Sequence, residues 1–232
     1  PPSMQAAPAI SGRIRLDGVG FRHTDDQPWI LQHIKLDIQP ADRLCILGPS
    51  GCGKTTLLNV MQNLLPASHG EIYIDELPLS GAGSSALRTH SASVMQGEAL
   101  LSGSILSNIA FNDPEFDYER VESAARLAMI HDDIVAMAMG YESLIGDMGT
   151  ILSAGQQSRV LIARALYRRP KILFLDECTA HLDEATEAQV MQGIIDLKIT
   201  CIFVTHNTRL THYATAVLHL TPSGYPLVSG NP

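Results

Sequence analysis

Short apolar runs of strand character alternate with stretches of helical periodicity between Gly12 and Leu220. Ile14, Leu16 and Phe21 are spaced for one strand, and Ile34-Lys-Leu-Asp-Ile38 alternates with period two for another. Leu44-Cys-Ile-Leu47 is apolar throughout, as expected of a parallel strand buried on both faces. After Gly53, residues Leu57, Leu58, Val60, Met61, Leu64 and Leu65 recur at helical spacing and predict a helix that Pro66 ends. Residues 71–75 and 92–95 read as further strands. From about Gly97 to Tyr167 the pattern turns helical, with helices predicted over 118–129 and 155–167 and a glycine-punctuated join over 140–150. Strand character returns at Ile172-Leu-Phe-Leu175, followed by a helix over 184–197 and strands over 200–205 and 216–220. This order predicts an α/β fold, a parallel sheet covered on both faces with a helical segment inserted. No internal repeat or low-complexity tract interrupts it.

Composition narrows the class. The chain has 232 residues, 45% hydrophobic and 17% charged, enough to bury a substantial core. A net charge of -8 argues against a nucleic-acid partner, which usually requires a basic face. Cys45, Cys52, Cys178 and Cys201 lack metal-ligand spacing and read as reduced thiols of a cytosolic setting. No apolar run approaches the ~20 residues that cross a bilayer. The opening Pro1-Pro-Ser-Met-Gln-Ala-Ala-Pro8 reads as an interdomain linker, which predicts that residues 1–11 join an upstream domain.

The chemistry begins at Gly48-Pro49-Ser50-Gly51-Cys52-Gly53-Lys54-Thr55, a GxxxxGK[ST] loop between a buried strand and a helix. Chance produces this pattern in such a chain with a probability on the order of one in a hundred. Its glycines let successive N–H groups turn inward around phosphates at the positive end of the helix. Lys54 opposes the helix dipole in its first turn, which makes sense chiefly with an anion between them. The alternative is a glycine-rich turn with a solvated lysine. Thr55 offers a hydroxyl to Mg²⁺ and Thr56 a further phosphate contact. Asp176 and Glu177 follow the apolar strand 172–175, a common way for strands to end. Downstream of a phosphate loop, Asp176 suits an outer ligand of Mg²⁺ and Glu177 a general base toward water. A second glycine-centred turn, Leu152-Ser153-Ala154-Gly155-Gln156-Gln157, opens its own predicted helix. Two phosphate-binding ends in one chain predict ATP sandwiched between two copies.

These motifs, over nearly all of residues 12–230, resemble the nucleotide-binding domain of ATP-binding cassette (ABC) transporters. The resemblance implies a P-loop NTPase core of residues 12–96 and 168–232 with an antiparallel β subdomain, and a helical subdomain over 97–167. Leu152–Gln156 is similar to the signature LSGGQ, which implies that Ser153, Gly155 and Gln156 complete the ATP site of the opposite copy. It further implies that Gln96 is the Q-loop glutamine near Mg²⁺ and the attacking water. Asp183 becomes the D-loop aspartate, His206 the switch histidine on the γ-phosphate, and His23 the ring stacked on adenine. Trp29 is a rival platform, though a core role suits it better. Three positions depart from the family pattern: Ala154 for the first signature glycine, His181 in the D-loop, and Cys178-Thr179 after the glutamate.

Residues 95–111, 130–134 and 140–149 resemble the colicin V-type, peptidase-containing bacteriocin exporters. That implies an ATPase motor that dimerises around MgATP and drives a transmembrane domain of the same polypeptide. Its place would be the cytoplasmic face of the bacterial inner membrane, its cargo a peptide with a double-glycine leader. Surface residues 98–112 and 142–149 would make the coupling contacts. The alternatives are an importer's ATPase subunit, a soluble ABC ATPase acting on ribosomes or DNA, and a binding module that does not hydrolyse ATP.

Overall fold

The computed structural model describes residues 8–111, 113–146 and 151–230. Most of the expected linker, Asn112 and residues 147–149 of the expected coupling surface, and Thr150 lie outside the described residues. The chain falls into two compact units. One comprises Pro1–Ser91, Lys171–Asp176 and Lys198–Pro232, the other Ala92–Pro170 and Glu177–Leu197.

The first stretch of chain runs β1 (Ile14–Phe21), β2 (Leu31–Ile38), β3 (Arg43–Leu47), α1 (Lys54–Met61), β4 (His69–Ile74), β5 (Leu77–Pro78) and α2 (Ala82–His90). Then come β6 (Ser91–Val94), β7 (Gly103–Ser104), α3 (Ile105–Ile109), α4 (Tyr118–Leu127), α5 (His131–Val135), β8 (Leu144–Ile145) and α6 (Ala154–Tyr167). The remainder is β9 (Ile172–Asp176), α7 (Glu184–Asp196), β10 (Thr200–Val204), β11 (Ala216–Leu220) and β12 (Pro226–Gly230).

In the first unit, β1 pairs antiparallel with β2 and β4, giving a sheet of order β2-β1-β4-β5. Ile34, Leu36 and Ile38 of β2 are buried while the residues between are exposed, so alternation set the buried face there. Leu31 is also buried, and His33, with a φ of 51°, marks an irregularity that breaks the period before Ile34. The main sheet of this unit runs β12-β11-β3-β10-β9, and the chain passes into the second unit at β6. β3, β10 and β9 are parallel, with Val204 level with both Ile46 and Asp176. Their apolar residues are buried throughout, as continuous hydrophobic runs require. Burial also pushes the Cys45 and Cys201 thiols up to about 12, so they sit in the core as small apolar groups. No disulfide joins the cysteines among the described residues.

Helix α1 is shorter than its periodicity predicts. It ends at Met61, and Asn63 takes a left-handed φ of 59°. Leu64 and Leu65 then donate back to the Asn59 carbonyl, and Leu64 is exposed. Asparagine tolerates this conformation, so it stops the helix before Pro66 is reached.

The second unit is mainly helical. α6 lies against α3 and α4, burying Val160, Leu161, Ile162, Ala163, Ala165 and Leu166. The short antiparallel pair β7–β8 leads into α3, where Ser104 caps the helix by accepting from Ser107 N.

Candidate functional site

In the first unit, β3 delivers the chain into the phosphate loop. A Cβ on Gly48 would stand 2.6 Å from both Cys52 Sγ and the Leu220 carbonyl oxygen, so only glycine fits there. Gly53, with φ 102°, opens α1 without a side-chain cap. Leu57 N bonds to Gly53 O, which leaves the earlier N–H groups of the helix without intrahelical acceptors. The Lys54 side chain is buried and its Nζ donates to Gly48 O and Pro49 O at 3.0 and 2.9 Å. The loop is thus wrapped around an ammonium group.

Thr55 Oγ1 donates to Asp176 Oδ2 at 2.7 Å, tying the start of α1 to the end of β9. Asp176 is fully buried, while Thr55 is exposed. One residue beyond β10, Thr205 N reaches Ile46 O at 3.4 Å, and the exposed His206 follows. Strand register therefore brings Gly48–Thr55, Asp176 and His206 to one end of the parallel sheet.

The connection from β1 to β2 lies against the phosphate loop, since a Cβ on Gly53 would come within 3.0 Å of Ile30 Cγ2. His23 is exposed on this connection and sits edge-on to Phe21, with ring centres 5.2 Å apart. Trp29 does not take the core role expected of it: it is 36% exposed, with one face covered by the Arg22 guanidinium at 4.6 Å.

In the second unit, Gln96 occupies a tight turn closed by Glu98 N to Met95 O, with Glu98 Oε2 accepting from Met95 N. From this turn Gln96 Nε2 donates to Glu177 Oε2 at 3.0 Å. Glu177 itself has a left-handed φ of 52°, a conformation non-glycine residues adopt rarely and often at functional sites.

Ser153 caps α6 in a full capping box. Its Oγ accepts from Gln156 N at 3.2 Å, and Gln156 Oε1 accepts from Ser153 N at 3.0 Å. Ala154 stands at the first helical position with its methyl exposed, so the departure from glycine meets no steric obstacle. Gly155 is different: a Cβ there would lie 3.0 Å from the His181 carbonyl oxygen. Asp183 caps α7, accepting from Thr186 N and Thr186 Oγ1 at 3.0 and 2.7 Å. Those bonds, the side-chain one foremost, hold its carboxyl below the usual range. Cys178 and Thr179 are buried behind this loop.

The family described as ABC transporter matches residues 31–180 of the chain. The chain belongs to the ABC transporter family.

Named relatives agree. The chain is 38% identical over 185 residues to the ATP-dependent lipid A-core flippase of Chromohalobacter salexigens, covering 80% of this chain and 32% of that protein. It is 39% identical over 193 residues to the colicin V secretion/processing ATP-binding protein CvaB of Escherichia coli, covering 83% and 28%. It is 40% identical over 187 residues to the leukotoxin translocation ATP-binding protein LktB of Mannheimia haemolytica, covering 81% and 26%. The aligned part of the chain thus spans about a third or less of these relatives. A solved bacterial Atm1-family ABC exporter with ATP bound superposes with a TM-score of 0.89 at 28% identity. That match covers 98% of this chain and 40% of the other. The α/β P-loop fold and the likeness to colicin V-type exporters therefore stand, and the chain is an ATP-binding domain of the ABC family.

The residues present fit both ATP and Mg²⁺. A buried lysine drawn onto two loop carbonyls would exchange them for phosphate oxygens, and the uncapped α1 terminus supplies N–H donors. The Thr55 hydroxyl and Asp176 carboxylate are hard oxygen donors, the type Mg²⁺ prefers. Among the described residues no three His, Cys, Asp or Glu side chains cluster as a metal cage. Neither motif nor spacing singled out Asp133 or Arg159, although both bond to the signature turn. No local pattern marks them as a set, because apart from Gly155 their partners lie 23 to 30 residues away.

Proposed function

We propose that the chain is the motor domain of an ABC exporter that closes in pairs around MgATP and drives export of a peptide across the bacterial inner membrane. The observation that supports the hydrolytic part is the direct 3.0 Å hydrogen bond from Gln96 Nε2 to Glu177 Oε2, which ties a carboxylate able to act as a base to an amide able to contact the same water. Lys54 and the N–H groups of α1 bind the phosphates of one copy, Thr56 adds a contact, and His23 supports adenine. Thr55, Asp176 and Gln96 hold Mg²⁺, which when bound offsets charge on the phosphates. Ser153, Gly155 and Gln156 of the second copy, with Asp183 beside them, close the site. Glu177 then takes a proton from the attacking water while His206 steadies the terminal phosphoryl group.

This reading divides the domain into a core of residues 12–96 and 168–232 and a helical part of 97–167, with residues 1–11 leading from a transmembrane domain. Among the described residues no helix is long and apolar enough to cross a membrane, and the span is assigned to that partner. Its docking face is the exposed apolar set Leu101, Phe111 and Phe116, beside a groove of about 560 Å³. The secretion and translocation named for CvaB and LktB support an exporter, with a peptide carrying a double-glycine leader as cargo. They favour it over an importer subunit or an ATPase of ribosomes or DNA.

The test is Glu177→Gln in the full-length protein. Turnover should fall by roughly 10²–10⁴-fold, as for loss of a general base, while ATP-dependent dimers accumulate. Unchanged turnover removes Glu177 from the role. For cargo, a double-glycine leader peptide should stimulate phosphate release and lipid A should not.

A further inference from the structure

Gln156 uses both ends of its amide. Oε1 accepts from Ser153 N at 3.0 Å, and Nε2 donates to Asp133 Oδ1, on α5, at 2.9 Å. The other oxygen, Asp133 Oδ2, accepts from Arg159 Nη1 at 2.7 Å. Arg159 lies one turn along α6, where it also donates to the Met129 carbonyl and, at 3.4 Å, to the Gly155 carbonyl. Asp133 is thereby held from α6 on one oxygen and holds α6 through the other.

The chemical consequence lies in the amide. Its two ends are nearly alike in shape, so the neighbours decide its orientation. A carboxylate only accepts, which obliges the Gln156 NH₂ to face Asp133 and its oxygen to face Ser153 N. Were the amide reversed, two donors would meet at Ser153 N and the capping box would open. With the box closed, Ser153 Oγ accepts from Gln156 N and keeps its own proton for an outside acceptor. The N–H groups of Ala154 and Gly155, first in the helix, have no intrahelical acceptor.

We propose that Asp133 is a positioning residue of the signature turn: it sets the Gln156 amide and so aims Ser153 Oγ and the first N–H groups of α6 at the γ-phosphate held by a second copy. The inference rests on the reading that this turn completes the neighbour's ATP site.

The test uses the full-length protein. Asp133→Asn, which also offers a donor and permits the reversed amide, should lower turnover at least tenfold. Affinity for a fluorescent ATP analogue at the phosphate loop of the separated copy should stay within about twofold. Asp133→Glu, still acceptor-only, should recover most of the loss. Mixed dimers then locate the defect by single-turnover phosphate release. Asp133→Asn copies should regain hydrolysis with Lys54→Ala copies, which bring an intact signature turn, and fail with Ser153→Ala copies, which do not. Recovery with Ser153→Ala, failure with both partners, or undiminished turnover of Asp133→Asn alone overturns the assignment. The pair Lys54→Ala with Ser153→Ala is the control. Its failure to recover refutes the shared site, and this inference with it, whereas its recovery confines any failure to Asp133.

Discussion

Replacing Gly155 by alanine separates packing from chemistry. The added Cβ would stand 3.0 Å from the His181 carbonyl oxygen and 3.6 Å from Leu182 Cδ2, so the first turn of α6 and the loop before α7 must part by a few tenths of an ångström. Overpacking of this kind costs about 1–3 kcal/mol. Against it, alanine in place of a helical glycine returns at most about 1 kcal/mol. The net loss is then about 0–3 kcal/mol, below the 5–15 kcal/mol stability typical of domains, so the variant stays folded at 25 °C. Turnover should respond far more. A shift of about 1 Å in an aligned site can cost on the order of 10²-fold, and a few tenths should cost roughly tenfold. Urea unfolding measures the first quantity and steady-state phosphate release the second. Wild-type turnover at wild-type stability would show that the signature turn and the His181 carbonyl do not depend on each other. That outcome would refute the reasoning.

Three further outcomes follow from the geometry. Lys54→Ala should abolish nucleotide binding in an equilibrium titration, and near-native affinity would show that the loop around Gly48–Thr55 is not the site. His23→Ala should narrow the preference for ATP over other nucleoside triphosphates; unchanged selectivity would mean that another side chain holds the base. Asp75 gives a pH dependence. Burial alone would raise its pKa, but bonds from the Ser11 amide and hydroxyl and from the Arg13 and Gly12 amides outweigh that and depress it. Its contribution to stability is therefore present above the ordinary carboxylate range and is lost as pH falls through the depressed value. The stability gap between wild type and Asp75→Asn, followed by denaturant melts, should close on acidification. A gap independent of pH would rule this out.

Sequence periodicity placed the strands that carry the phosphate loop, Asp176 and His206, because buried parallel strands need unbroken apolar runs and such runs are visible locally. Residues 82–90 show how far that signal reaches. Their glycine and serine content hides a helix whose burial of Ala86 and Leu87 depends on tertiary contacts. The motifs to which the proposed chemistry is assigned are visible in the same local way, since each is a short spacing imposed by a turn.

By itself the sequence determined which groups exist for the chemistry: a loop lysine, a hydroxyl, two carboxylates after a strand, and a capped second turn. Only the tertiary structure decided which of them meet. Gln96 reaches Glu177 across 81 positions, Thr55 reaches Asp176 across 121, and Asp133 is held by Arg159 across 26. Contacts at such separations depend on how elements pack and on strand register, and no local spacing encodes either.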